Sequence, residues 1–216
     1  MALSEDPTRA ADVLIGIVGY SPVIDSYPLG PKLMDALKAR LESRPDIAVE
    51  NMTWSPIHVV QRFQDEGALR PRRLVLVGAA AVSIAPGQVR GFRWTGGAVP
   101  GAAMQERIYE AVTGVVDLEN TLIIGSHFKV WPDDVFGVEV DLPADTFGNM
   151  VIADSLGNEA GSDCGPGFSP SAVLAELVEA TLAFALDEQG ETAQSKSATE
   201  CAAIRPFIRN RMAIDA

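Results

Sequence analysis

An aspartate, two histidines and a cysteine in this 216-residue chain could do chemistry, and their positions set the first questions. Asp25 follows the first apolar run, His58 follows the second, and His127 follows the run TLIIG. One carboxylate and two imidazoles are a sufficient donor set for a borderline divalent metal, with positions left open for substrate and water. Asp25, His58 and His127 are therefore candidate metal ligands. The alternatives are a turn residue at Asp25 and ordinary hydrogen-bonding histidines at the other two positions. Cys164, in GSDCGPG, could act as a nucleophile with His127 as its base, although no orienting third group is recognisable. Gly16-x-x-Gly19 is too short for a dinucleotide fingerprint. Glu50 lies within the second strand, not at its end where a ribose ligand would stand. Asp133, Asp134, Asp141, Asp145, Asp154 and Asp163 make one stretch acidic, which suits a solvated face first and cation binding second. Trp54, Trp94 and Trp131 either line a peptide groove or are buried beside strands.

These residues need a scaffold, and hydrophobic periodicity supplies one. Residues 12–19 (DVLIGIVG) and 73–77 (RLVLV) read as buried parallel strands. Residues 121–125 (TLIIG) read as a third, and 47–53 and 88–94 as strands nearer an edge. Gly30-Pro31 opens a first helix with the stripe Leu33, Leu37 and Leu41. Ser55-Pro56 caps a second helix, residues 102–116 form a third, and Ser169-Pro170 starts the longest, to about residue 187. Alternating strands and helices predict a three-layer αβα sandwich around a mostly parallel sheet. The expected division is an arm at 1–11, one domain at 12–189 and a flexible linker and tail at 190–216. Within the domain, 126–168 reads as an irregular insertion with strand-like pieces at 138–142 and 150–153.

Composition narrows the function. With 47% apolar residues, a chain of this size can bury roughly 70% of its unfolded surface. Seventeen basic against 29 acidic side chains give a net charge of −12, which disfavours nucleic acid and anionic membranes as partners. Two cysteines make no disulfide framework and suit a reducing cytoplasm, and the acidic N-terminus does not read as a signal peptide. Residues 190–200 are too polar to order themselves. Residues 201–214, apolar and basic, read either as a frayed terminus or as a docking segment that folds onto the acidic body or bridges to a partner.

The order of these elements resembles that of the maturation endopeptidases of [NiFe] hydrogenases. The resemblance covers about residues 12–188. It rests on Gly16-x-x-Gly19, Asp25 and Gly30-Pro31, on LVLVGAAAVSIAPGQVRGFRW, and on Gly167-Phe168-Ser169-Pro170 before the last long helix. It implies recognition of nickel already installed in a hydrogenase large-subunit precursor, followed by removal of a C-terminal extension. It also implies three ligand positions. Asp25 stands at the first, Gly78 at the second where the family has Asp, and Met104 or Gln105 near the third where the family has His. Two readings follow. One is a divergent metal-dependent endopeptidase using Asp25 with replacement ligands. The other is a catalytically inactive binding or assembly module that holds the precursor or a related assembly protein, with nickel present only through that partner. An unrelated αβα hydrolase or phosphorylase is a third reading, on fold analogy alone.

Overall fold

A computed structural model describes residues 11–53, 55–65, 70–81, 85–114, 116–156, 168–186 and 193–204. Trp54, Asp163, Cys164, Gly167, most of the N-terminal arm and residues 205–216 lie outside the described residues.

The chain builds a six-stranded sheet in the order β2-β1-β3-β5-β4-β6. Strand β1 (Val13–Ile17) is buried at every position and pairs in parallel with β2 (Ile47–Asn51) and β3 (Arg73–Ala79). Parallel strands covered on both faces read as continuous apolar runs, which is why β1 and β3 are legible from composition alone. Strand β3 pairs in parallel with β5 (Asp134–Val140), β4 (Val89–Trp94) runs antiparallel to β5, and β6 (Gln194–Lys196) runs parallel to β4. At the amino ends of β3 and β5, Asp134 accepts from Arg73 Nε at 2.6 Å and from Arg93, near the end of antiparallel β4, at 2.9 Å, tying β3, β4 and β5 together.

Helices cover both faces of this mostly parallel sheet, an arrangement compatible with the expected sandwich. On one face Ile15, Val77, Phe136 and Val138 meet Leu33 and Leu37 of α1 (Pro31–Arg40) and Leu177 and Leu182 of α6 (Pro170–Ala185). Met150 of α5 (Thr146–Ser155) joins that cluster. On the other face Leu14, Leu76, Phe92 and Val135 meet Val59 and Phe63 of α2 (Pro56–Gln64) and Met104 of α3 (Gly101–Val112). Leu122 of α4 (Leu118–His127) and Cys201 of α7 (Ala198–Ile204) complete that core. Helix starts follow their sequence signals. Ser55 accepts from Ile57 N at 3.3 Å, Ser169 from Ala172 N at 3.5 Å, and proline holds the first helical position of α1, α2 and α6.

Four expectations need correction. Residues 121–125 form no strand; they lie inside α4. Asp117 caps that helix by accepting from Asn120 N at 2.7 Å, and Thr121 Oγ1 donates to the Asp117 carbonyl at 2.8 Å. Residues 118–125 are buried all round, so their apolar run carries no helical period to distinguish it from a strand. The parallel partner of β3 is instead β5, inside the stretch expected to be irregular, and the expected piece at 138–142 overlaps only its end. The piece at 150–153 lies in α5. Finally, part of the polar stretch 190–200 is ordered as β6 and the start of α7. Its order comes from the ladder with β4, from ion pairs with the body and from the burial of Ala198 in the core.

Candidate functional site

The carboxyl ends of β1, β3 and β5 form the edge where open α/β sheets place their ligands. After β1 the chain turns through Gly19, whose φ of +74° suits glycine, into a loop pinned by Ser21 N donating to the Leu29 carbonyl at 2.9 Å. Asp25 lies exposed on this loop beside a shallow depression of ≈ 190 Å³ shared with Tyr27, Lys32 and Leu174. His58 is exposed on the first turn of α2. His127 is exposed at the last residue of α4, its ring 5.2 Å from that of Phe128.

Its position differs from the strand end that the sequence suggested. Helix α4 starts with Leu118 against Gly78 near the carboxyl end of β3 and ends where Ser126 Oγ accepts from Trp94 Nε1 at 2.7 Å. Trp94 follows Arg93, which pairs with Phe136 near the start of β5, so His127 lies toward the opposite end of the sheet from Asp25. Among the described residues, no three His, Cys, Asp or Glu side chains gather as a group that could hold a metal ion.

The positions that the resemblance sets at the other two ligands are equally clear in their surroundings. Gly78 is buried in β3, and a Cβ built there would lie 2.8 Å from Leu118 Cβ and 3.5 Å from Val18 Cβ. Leu118 and Val18 are themselves buried, so α4 fills the space that a side chain at 78 would need. Met104 is buried in the core beneath α3, and Gln105 is exposed on the same helix. Trp94 is buried and Trp131 is part-buried, its indole lying on Gly125, donating to the Leu122 carbonyl at 3.0 Å and meeting Phe63 edge-on at 5.2 Å. Both tryptophans pack in the α2/α4 layer.

Chemistry-bearing side chains do converge elsewhere. A cleft of ≈ 380 Å³ opens at the carboxyl end of β3, beyond Ala80 and Ala81, between β4, β5, the start of α4 and β6. Glu139 of β5 and Glu119 of α4 line it, with only 9% and 8% of their side chains exposed. The Lys196 ammonium of β6 lies 2.8 Å from Glu139 Oε2 and 3.3 Å from Glu119 Oε1, and 4.8 Å from the centre of the Phe92 ring. Arg90 Nε reaches Glu139 Oε1 at 3.1 Å. The pairing of Phe92 with Gly137 across β4 and β5 leaves the phenylalanine ring free to lie flat over the strand.

Burial alone would pull the Lys196 pKa down. Its hydrogen bond to Glu139 and the charges of Glu139 and Glu119 outweigh that, and the ammonium is held above its ordinary value. Cys201 lies nearby, and burial together with the Glu119 charge pushes its thiol up to about 12. At neutral pH the Lys196 ammonium is charged and the buried Cys201 thiol behind it is neutral, so neither is a nucleophile.

Sequence reasoning missed Glu119, Glu139 and Lys196. The available signal was an acid inside an apolar run: Glu139 in VFGVEV and Glu119 beside LENTLII. A carboxylate buried in such a run demands a cation from elsewhere in the chain.

Fold and site together define an α/β protein with a mostly parallel six-stranded sheet, flanking helices and a charge-paired cleft at its carboxyl edge. No protein-family model, curated protein or solved structure matches the chain.

Proposed function

We propose that this chain is a binding or assembly module with the αβα architecture of the [NiFe] hydrogenase maturation endopeptidases. It holds a hydrogenase large-subunit precursor, or a related assembly protein, in the cytoplasm without cleaving it by a metal-dependent route. Nickel enters only as part of that partner.

The packing at Gly78 carries the reading. At the position where the resemblance calls for a ligating carboxylate, Leu118 of α4 occupies the space of even a Cβ. Among the described residues the donor set is not rebuilt nearby, since Asp25 and His127 lie toward opposite ends of the sheet and His58 projects from α2. The link to the hydrogenase precursor is supported by the layout. Strand β3 leads through a turn at Pro86-Gly87 into antiparallel β4, α1 opens at Gly30-Pro31, and Ser169-Pro170 opens the long α6. Among the described residues no helix is long and apolar enough to cross a membrane.

The test is co-elution on size exclusion of the full chain with a purified nickel-loaded large-subunit precursor that retains its C-terminal extension. A stable complex is expected. Separate elution at micromolar concentrations overturns the hydrogenase-linked role.

A further inference from the structure

The segment 193–204 is seated on the body by three sets of contacts. Its backbone pairs with Phe92–Trp94, Thr95 N donates to the Lys196 carbonyl at 3.0 Å, and Ala198 N donates to the Gly96 carbonyl at 2.7 Å. Ala198 and Cys201 are fully buried against the α4 face. Between them, Lys196 places its ammonium on two buried carboxylates and an aromatic face. Two carboxylates and a ring are a complete receptor for an ammonium, combining charge-assisted hydrogen bonds with a cation–π contact.

The strand that delivers this lysine is short and otherwise lightly held. It pairs over only three residues, and the side chains of Gln194 and Ser195 are exposed. The cleft continues beside it along Arg90 and Gly91. If the segment leaves, two lining carboxylates (Glu119 and Glu139) face one guanidinium, Arg90, so the emptied cleft favours a cation.

We propose that residues 193–204 are an intramolecular latch. Glu119, Glu139 and Phe92 form a receptor for a lysine presented on an extended strand parallel to β4, Lys196 is its resident occupant, and a lysine-bearing extended segment of a partner polypeptide competes for it. The mode is strand addition, in which main-chain bonds give affinity and a side-chain pocket gives specificity. The latch itself displays the ligand's chemistry. Because the resident segment is tethered, it competes at a high effective concentration, and a partner strand binds the latched chain weakly and the unlatched chain well. This inference concerns the receptor alone and stands or falls separately from the identity of the precursor.

The experiment uses the full chain and a fluorescent peptide of residues 193–204, read by anisotropy. Lys196→Met, which empties the receptor, is expected to bind the peptide at least about tenfold more tightly than the wild type, whose latch is the competitor. The same peptide carrying K196M is expected to lose that gain, as is the full chain carrying both Lys196→Met and Glu139→Gln. A folded Lys196→Met protein that does not distinguish the two peptides overturns the proposal. Should Lys196→Met fail to fold, hydrogen exchange on the wild type decides. Excess lysine peptide is expected to speed exchange at the Thr95 and Ala198 amides, and unchanged exchange overturns the latch.

Discussion

Placing a carboxylate at position 78 tests the packing on which the proposed binding role rests. Gly78→Ala places a Cβ 2.8 Å from Leu118 Cβ, against the 3.5–4.0 Å at which carbon atoms pack without repulsion. Leu118 is 1% exposed and Val18 is fully buried, so neither can swing into solvent to relieve the overlap. Overpacking of this kind costs about 1–3 kcal/mol. Gly78→Asp adds a carboxylate among buried aliphatic groups, which costs a further few kcal/mol or leaves the acid protonated. We expect Gly78→Asp to lose at least about 3 kcal/mol in all, a large share of the 5–15 kcal/mol typical of a folded domain. Urea unfolding followed by tryptophan fluorescence reads this directly. Adding Leu118→Gly, which removes the overlapping Cβ, should return part of the loss in the Gly78→Asp background, although Leu118→Gly alone removes a whole buried side chain and destabilises by more than the ~2–5 kcal/mol of a buried Leu→Ala change. Unfolding of Gly78→Asp at the wild-type midpoint, or strict additivity of the two substitutions, would refute tight packing at position 78.

Leu177 is fully buried where α6 crosses the sheet, so Leu177→Ala is expected to cost about 2–5 kcal/mol in the same assay, and a loss under about 1 kcal/mol would make α6 peripheral. Lys196 is held above its ordinary 10.5, so its ion pairs stabilise the fold fully below that pH and are lost as pH rises through the raised value. Cys201 is raised from 9.0 to about 12, so the preference of the fold for its neutral thiol is lost over that window. The wild type is therefore expected to lose melting temperature more steeply than Lys196→Met or Cys201→Ala between pH 9 and 12, and parallel curves would contradict the assignment. In a Cys164→Ser background, where Cys201 is the remaining thiol, iodoacetamide at pH 8 is expected to label the native chain far more slowly than the urea-unfolded chain.

The strands β1 and β3 were legible because both faces of each are covered, which leaves an unbroken β-branched run bounded by glycine or small residues. Helices α1, α2 and α6 were legible because proline and serine mark their starts. The same logic misassigned TLIIG. A helix buried on every side also reads as an apolar run, and only the cap at Asp117, a relation between Asp117 and Asn120, sets it apart. Strand β5 was obscured because Gly137 and Glu139 break its apolar pattern. One admits the Phe92 ring and the other serves Lys196, and both causes lie far away in the chain. The cleft escaped for the same reason. Its ammonium comes from a polar stretch that has no reason to order itself until the edge of β4 and two buried carboxylates are in place.

The central claim is that the chain holds its partner and leaves it whole. The most direct measurement is the intact mass of a nickel-loaded hydrogenase large-subunit precursor after incubation with the full chain, taken on the co-eluting complex. The account expects a precursor bound at full mass with its C-terminal extension in place. A precursor shortened by the mass of that extension, with the shortening abolished by Asp25→Ala, would contradict it and place a working metal-dependent site at the carboxyl end of β1.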